Sequence, residues 1–356
     1  MAVGKCVSRY YRYLFAALPI SLLSTISLFA EYRTRAEYVM GTLMEITLEA
    51  PAAAHAELFA QAFGEARRLD GIFSLYKPAS DLSRLNAKSG LTVNVAPEII
   101  ELSQISMDLF LKTDGAFDPS ILPLIDCWKK SAAAGKRPSR ESLRAALARI
   151  GMERVSAALP PRAGGPTAPI GSPGFQLPAG MRLTFDGIAK GYAVDRVAAV
   201  LKGRGVGSGF VNLGESSQYA WGNSPSGGPW KVALRDPADP NQLVATLVLQ
   251  DQGLSTSGSY EQFIKIGNRR VSHIFDPQNG MPVRADAAAT VVCRSATLAD
   301  AYSTAVLVLH SRGVRTFHHL TIEWVLVDGR GAARRVFKSA NLPLSSASLA
   351  TIGSGR

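Results

Sequence analysis

The chain has 356 residues, 47% of them hydrophobic and 19% charged, which is enough for one large or two small globular domains and too apolar for disorder. Three cysteines (Cys6, Cys127, Cys293) exclude a disulfide-rich scaffold and any four-cysteine zinc module. The formal charge of +11 is scattered without aromatic interleaving, which argues against a nucleic-acid surface and suits anionic small molecules or a membrane face.

Residues 1–13 carry Lys5, Arg9 and Arg12 and no acid, and 14–30 (LFAALPISLLSTISLFA) are apolar or small. This is the pattern of a secretory signal with Ala30 at the cleavage position. Leu28 at the −3 place departs from the small residue that cleavage prefers, which leaves an uncleaved signal anchor as the alternative. Without residues 1–30 the balance is 36 basic to 28 acidic residues, or +8. The expected location is extracytoplasmic (periplasmic), exported or anchored at the inner membrane through residues 14–30. Export leaves Cys127 and Cys293 in an oxidising place, as a pair or as two buried thiols.

Met44, Ile46 and Leu48 alternate with Glu45, Thr47 and Glu49, which predicts a half-buried strand. Helices are predicted at 55–70, with Leu58, Ala62, Ala66 and Leu69 on one face, and at 97–112, with Ile99, Leu102, Ile105 and Leu109. Thr113-Asp114-Gly115 stops the second. Ser139 caps a short helix that Gly151 closes. Residues 160–180 hold six prolines and five glycines and read as a loop or insertion. From 181 strands dominate: 181–185 (MRLTF), 208–214, 230–235, 243–249, 289–293 and 322–329, the last ending in the hairpin signal Asp328-Gly329. Helices at 188–202 and 296–310 interrupt them. Helices early, strands late and no strict βαβ alternation predict an α+β fold with a largely antiparallel sheet and flanking helices. The expected domain is 36–340, with a disordered tail over 341–356.

No Walker loop, HExxH, CxxC or GxSxG occurs. The glycine cluster at 203–210 follows a helix and enters a strand, the wrong order for a dinucleotide turn. Three segments carry chemistry instead. On helix 296–310, Asp300 and Thr304 share a face with Ser303 beside them, a hard-oxygen half-site for Mg²⁺ or a pair satisfying local backbone. In 255–283, Thr256-Ser257-Gly258-Ser259 offers the hydroxyls and N–H groups of an anion cradle, and His273 precedes the turn 276–280. In 183–216, Asp186-Gly187-Ile188-Ala189-Lys190-Gly191 opens a helix. Gly187 and Gly191 there would let a phosphate or cofactor approach the backbone. Asp195 and Arg196 suit that helix's exposed face.

Together these segments resemble the FAD:protein FMN transferase (ApbE, flavin transferase) family. The matches run in the family order: MGT (40–42), FSLYKPASDLSRLN (73–86), TDGAFDPS (113–120), DGIAKGYAVDR (186–196), VNLGE (211–215), STSGSYEQF (255–263), SHIFDPQNG (272–280) and ADAYSTA (299–305). The resemblance implies an ApbE-like single domain. It implies Mg²⁺-dependent transfer of FMN from the substrate FAD to a Thr or Ser hydroxyl of a target flavoprotein in a membrane or exported redox complex, releasing AMP. Carried over by position, Met40, Tyr76, Ala116, Phe117 and Asp118 would line the flavin and adenosine pocket. Thr184 and Lys190 would flank the cofactor, and Ile274 and Phe275 would add apolar contact. Asp300 and Thr304 would bind Mg²⁺ with the Gly187 carbonyl, with Ser303 a further candidate. His273 and Asp300 would be catalytic. Thr184-Phe185-Asp186-Gly187 departs from the usual Asp-Leu-Gly-Gly, and Gly214-Glu215 from Gly-Gly, which marks a divergent subfamily. The alternatives are an FAD pyrophosphatase giving FMN and AMP, and a non-enzymatic exported flavin-binding protein.

Overall fold

A computed structural model describes residues 30–156, 174–258, 263–284, 286–310, 321–329 and 333–345. The signal sequence expected over 1–30, apart from Ala30, lies outside the described residues. So does most of the Pro/Gly-rich stretch.

The alternation at 44–49 belongs to a longer strand. β1 (Ala30–Val39) and β2 (Thr42–Pro51) form a hairpin closed by Met40 and Gly41, both at positive φ (52° and 77°), as a two-residue turn between twisted strands requires. The helical layer follows: α1 (His55–Phe73), α2 (Asp81–Ala87), β3 (Thr92–Asn94), α3 (Pro97–Lys112), α4 (Leu122–Ala133), α5 (Arg140–Leu147) and α6 (Met152–Ser156). Ser139 caps α5 by accepting from the Ser142 amide. Asp114 and Gly115 turn the chain after α3 at φ 51° and 76°. α2, β3, α4 and α6 are additions to the predicted elements. β4 (Gly174–Gln176), a short strand paired with β3, lies within the stretch expected to be loop.

The remaining elements are α7 (Ala189–Gly203), β5 (Gly209–Leu213), β6 (Ser217–Trp221), β7 (Trp230–Asp236), β8 (Asp239–Leu249), β9 (Gln252–Gly258), β10 (Phe263–Ile266), β11 (Arg269–Ser272), β12 (Ala287–Cys293), α8 (Ala296–Leu309), β13 (Glu323–Asp328) and β14 (Arg335–Lys338). Eight strands make one sheet in the order β1-β2-β5-β6-β9-β12-β13-β14, with every neighbouring pair antiparallel. This is the predicted α+β class.

Both faces of the sheet are covered, because its strands are apolar on both. Val291 and Leu326 join the main core, whereas their neighbours Val292, Val325 and Val327 face a second one. α1, α7 and α8 contribute to the main core, and the β7–β8 ribbon closes the second.

Three expectations are corrected. MRLTF (181–185) is not a strand, apart from one bridge from Arg182 to Ile121. Met181, Leu183 and Phe185 are buried, but the backbone is satisfied by the Asn86 side chain, which donates to Leu183 O and accepts from Leu183 N, both at 2.8 Å. The tail is ordered as far as it is described: Leu342 is buried, and Pro343 and Ser345 bond β8 at 2.8 Å. Asp195 is half-buried against α8, not on an exposed face. Cys127 and Cys293 are free thiols, and burial pushes Cys293 up to about 11.

Candidate functional site

A cavity of about 140 Å³ opens where α7 and α8 meet the ends of β9 and β11. Its wall brings together Ala116, Phe117, Asp118, Thr184, Gly187, Lys190, His273, Ile274, Phe275, Asp300 and Thr304, eleven of the fourteen residues expected from sequence. Asp186, Thr256, Ser257 and Gly258 also line it.

Asp300 is the charged centre of the wall. It is 3% exposed, and its Oδ2 accepts from the Gly191 amide at 3.0 Å while Oδ1 accepts from Ser255 Oγ at 3.1 Å. Burial drives its carboxyl above the usual range, against the pull of the Lys190 charge and of these donors. Thr304, one turn on, donates Oγ1 to Asp300 O at 3.3 Å and lies 3.1 Å from Ser257 Oγ. Its hydroxyl would sit 3.2 Å from a Cβ placed on Gly187, so a side chain there would press on it. A carboxylate, a hydroxyl and the adjoining backbone of Gly187 thus face one space.

That donor set fits a hard cation such as Mg²⁺, which takes one or two carboxylates and otherwise oxygen. The buried, raised Asp300 is what a bound cation would relieve. Among the described residues no group of three or more His, Cys, Asp or Glu side chains could hold a metal, so protein hydroxyl and carbonyl oxygens would have to complete the set.

The opposite wall is apolar and stiff. Phe275 stacks on Trp128 with ring centroids 5.4 Å apart, and Trp128 donates Nε1 to Gly280 O at 2.8 Å. The turn 276–280 is held by Asp276, which accepts from Gln278 N (2.9 Å) and, through its carbonyl, from Gly280 N (2.8 Å). Asp118 Oδ1 accepts from Ser120 N (2.8 Å) and Ser120 Oγ (2.6 Å). Burial nevertheless pushes Asp118 up to about 6.

The cavity alone is small for a dinucleotide, since ligand pockets run to about 300–1,000 Å³. Two grooves of about 490 Å³ adjoin it. One shares Ile125 and Asp186 with it and carries Tyr76, Asp126, Lys129 and Arg182. The other shares Asp118 and carries Asp114, Glu153 and Gln278.

Three expected residues stand off the cavity wall. Tyr76 is 87% exposed in the first groove. Met40 sits in the β1–β2 turn against the main core. Ser303 is wholly buried behind Ser257, at 2.8 Å between hydroxyls. Gly191 admits a neighbouring helix rather than a ligand: a Cβ there would lie 2.1 Å from Ala296 O. Sequence reading passed over Ser255 as a partner of Asp300 and Asp186 as a wall residue. Both lie inside motifs already quoted.

The model of the ApbE family matches residues 40–325. An FAD:protein FMN transferase of Treponema pallidum (strain Nichols) is 30% identical over 294 residues, 78% of each chain. That of Escherichia coli (strain K12) is 29% identical over 250 residues, 67% of each chain. The apo flavinyl transferase ApbE of Pseudomonas stutzeri superposes with a TM-score of 0.74 at 27% identity, covering 92% of this chain and 98% of that one. The ApbE protein of Thermotoga maritima has the same fold, with a TM-score of 0.75 at 24% identity over 87% of this chain and 98% of its own.

Proposed function

The chain belongs to the ApbE family, and from that premise we propose that it transfers FMN from FAD to a Thr or Ser hydroxyl of a target flavoprotein. The observation that carries this reading is the convergence of Asp300, Thr304, Gly187, Lys190 and His273 on one cavity, in a chain related to named FMN transferases.

In the reaction the hydroxyl oxygen of the acceptor attacks the FMN-side phosphorus of the FAD pyrophosphate. The bond from that phosphorus to the AMP oxygen breaks, AMP leaves, and the hydroxyl proton is lost. Asp300, Thr304 and the Gly187 carbonyl would hold Mg²⁺, which when bound neutralises pyrophosphate charge and polarises its oxygens. Lys190 adds a fixed positive charge beside the same phosphates. His273 takes the hydroxyl proton, a task its residue type performs near neutral pH. Phe117, Ile274 and Phe275 give the flavin an apolar wall, and Tyr76 offers a ring to the adenine in the first groove. The nucleophile arrives with the acceptor, so no Ser or Cys of this chain is required.

Residues 1–30 direct the chain out of the cytoplasm, as a cleaved signal or an anchor, and the acceptor is a membrane or exported flavoprotein. Among the described residues no helix is long and apolar enough to cross a membrane.

The test is incubation with FAD and Mg²⁺, with and without an acceptor peptide carrying Thr, following AMP and peptide mass. The expected result is AMP only with the acceptor, together with peptide heavier by one FMN. AMP without acceptor replaces transfer by hydrolysis. Tightly retained FAD and no AMP reduces the protein to a flavin binder. Asp300→Ala should lower transfer by at least roughly 100-fold, the scale of losing a principal electrostatic group. Near-normal turnover in saturating Mg²⁺ would remove Asp300 from the metal site.

A further inference from the structure

α7, with the turn that enters it, and α8 run past each other as a ladder of three contacts. Gly191 and Asp195 are four apart on one face of α7, and Gly187 stands in the turn before it. In chain order the three meet Thr304, Asp300 and the Ala296–Thr297 pair, spaced by about four in the opposite sense. At the first rung Thr304 Oγ1 would lie 3.2 Å from a Cβ on Gly187. At the second, Gly191 N donates to Asp300 Oδ2 at 3.0 Å, and a Cβ on Gly191 would stand 2.9 Å from that of Asp300. The two glycines permit close approach, and the Gly191 amide adds one hydrogen bond across the pair.

The third rung supplies four more hydrogen bonds. Asp195 Oδ2 accepts from Ser295 Oγ (2.7 Å), Thr297 N (2.8 Å) and Thr297 Oγ1 (2.6 Å), and Oδ1 accepts from Ala296 N (2.9 Å). The first amides of a helix have no partner within it, and the local cap Ser295 takes only that of Leu298, at 3.3 Å. A carboxylate at a helix N-terminus also suits the helix dipole. A local cap ends a helix without fixing where it lies. A cap borrowed from another helix, 100 residues earlier in the chain, fixes both. On its other side the same first turn is confined by β9, where a Cβ on Gly253 would stand 2.2 Å from Ala296 N.

We propose that Asp195 is the positioning residue for the Asp300–Thr304 pair: its four bonds set α8 against α7 so that both side chains meet the turn at Gly187. This rests on the reading of that pair as the cation site. Asp195 does not line the cavity, so its loss should act on cation binding through Asp300 and Thr304 and spare flavin binding, which draws on 116–118 and 273–275.

The experiment uses the full chain and Mn²⁺ as probe. Free Mn²⁺ is counted by electron paramagnetic resonance in the presence of FAD, and FAD binding without divalent cation is followed by flavin fluorescence. Asp195→Asn keeps the shape, removes the charge and turns an NH₂ toward a donor. It should weaken Mn²⁺ binding roughly 10- to 100-fold, the range for groups that orient metal ligands. FAD affinity should stay at the wild-type value, and higher Mg²⁺ should restore part of kcat. Unchanged Mn²⁺ affinity overturns the proposal. So does an equal loss of FAD and Mn²⁺ binding, which would mean general loosening. If Asp195→Asn does not fold, Thr297→Val decides: it deletes one donor to Asp195 and keeps the amide contacts. A several-fold loss confined to Mn²⁺ supports the proposal, and none overturns it. Asp300→Ala separates the two levels of the argument. Wild-type Mn²⁺ affinity there overturns the cation reading and this proposal with it, whereas loss there with none in Asp195→Asn overturns the role of Asp195 alone.

Discussion

Asp118 and Asp300 are both buried carboxylates on the cavity wall, and both are held above the usual range by desolvation. For Asp118 the value is about 6, against an ordinary 3.8. A raised acid favours its protonated form in the folded protein. Its contribution to stability is therefore complete below about pH 3.8 and lost as the pH rises through about 6. The shift corresponds to about 3 kcal/mol. Asp118→Asn, which stays neutral, should gain stability relative to wild type by about that amount between pH 4 and pH 7. Urea unfolding of both proteins at the two pH values measures it, and parallel curves would mean that Asp118 ionises without cost. His273 belongs to the same scale. His273→Ala should lower kcat more than it weakens FAD binding. An unchanged single-turnover rate returns His273 to a structural place in the turn after β11.

At the scale of elements, the site is set by how closely α7 and α8 can pack. Gly191→Ala would place a methyl 2.1 Å from the Ala296 carbonyl, which is backbone and cannot move alone. The helices must separate, costing about 1–3 kcal/mol or more and carrying Asp300 away from the Gly191 amide. Gly187→Ala meets a side chain, Thr304 Oγ1 at 3.2 Å, which can rotate. It should hold its melting temperature near wild type while losing turnover. The pair of melting curves, read beside the pair of rates, tests whether the two glycines act through fold and site respectively. Local signals for the helices were plain in the sequence: the Ser139 cap of α5, the apolar faces of α1 and α3, and the Gly-rich entry to α7. α4 was passed over, although Pro123 stands near its start where proline fits. MRLTF misled because alternating burial marks a strand only when a neighbouring strand takes up its backbone groups, and here Asn86 does so.

For the whole molecule, the sheet separates two jobs. The main core carries α7, α8 and the cavity, and the second core is closed by the β7–β8 ribbon and by residues 342–344. Leu342 is 6% exposed, and Pro343 O and Ser345 N bond Val248 and Thr246. A chain ending at Ala340 should lose about 2 kcal/mol or more through uncovered apolar surface. Its turnover per folded molecule should be unchanged, because the site lies on the other face. Calorimetry and a rate measured well below the melting point test both halves, and a fallen rate at full folding would show that the faces are coupled.

What the sequence by itself determined is what short spacing can express. Period-two and period-3.6 patterns located most helices and the longer apolar strands, Asp328-Gly329 marked one hairpin, and motifs in order indicated the family and most of the cavity wall. The fourfold spacing of Asp300 and Thr304 is of this kind, since one helix fixes their common face. Tertiary structure decided what depends on partners distant in the chain. It brought Ala296 against Gly191 and Gly253, gave Asp195 its four donors, let Asn86 satisfy Leu183 and drew 341–345 onto β8. No local spacing encodes such contacts. They arise because buried backbone groups must find donors and acceptors, and the partners come within reach only when sheet and helices pack.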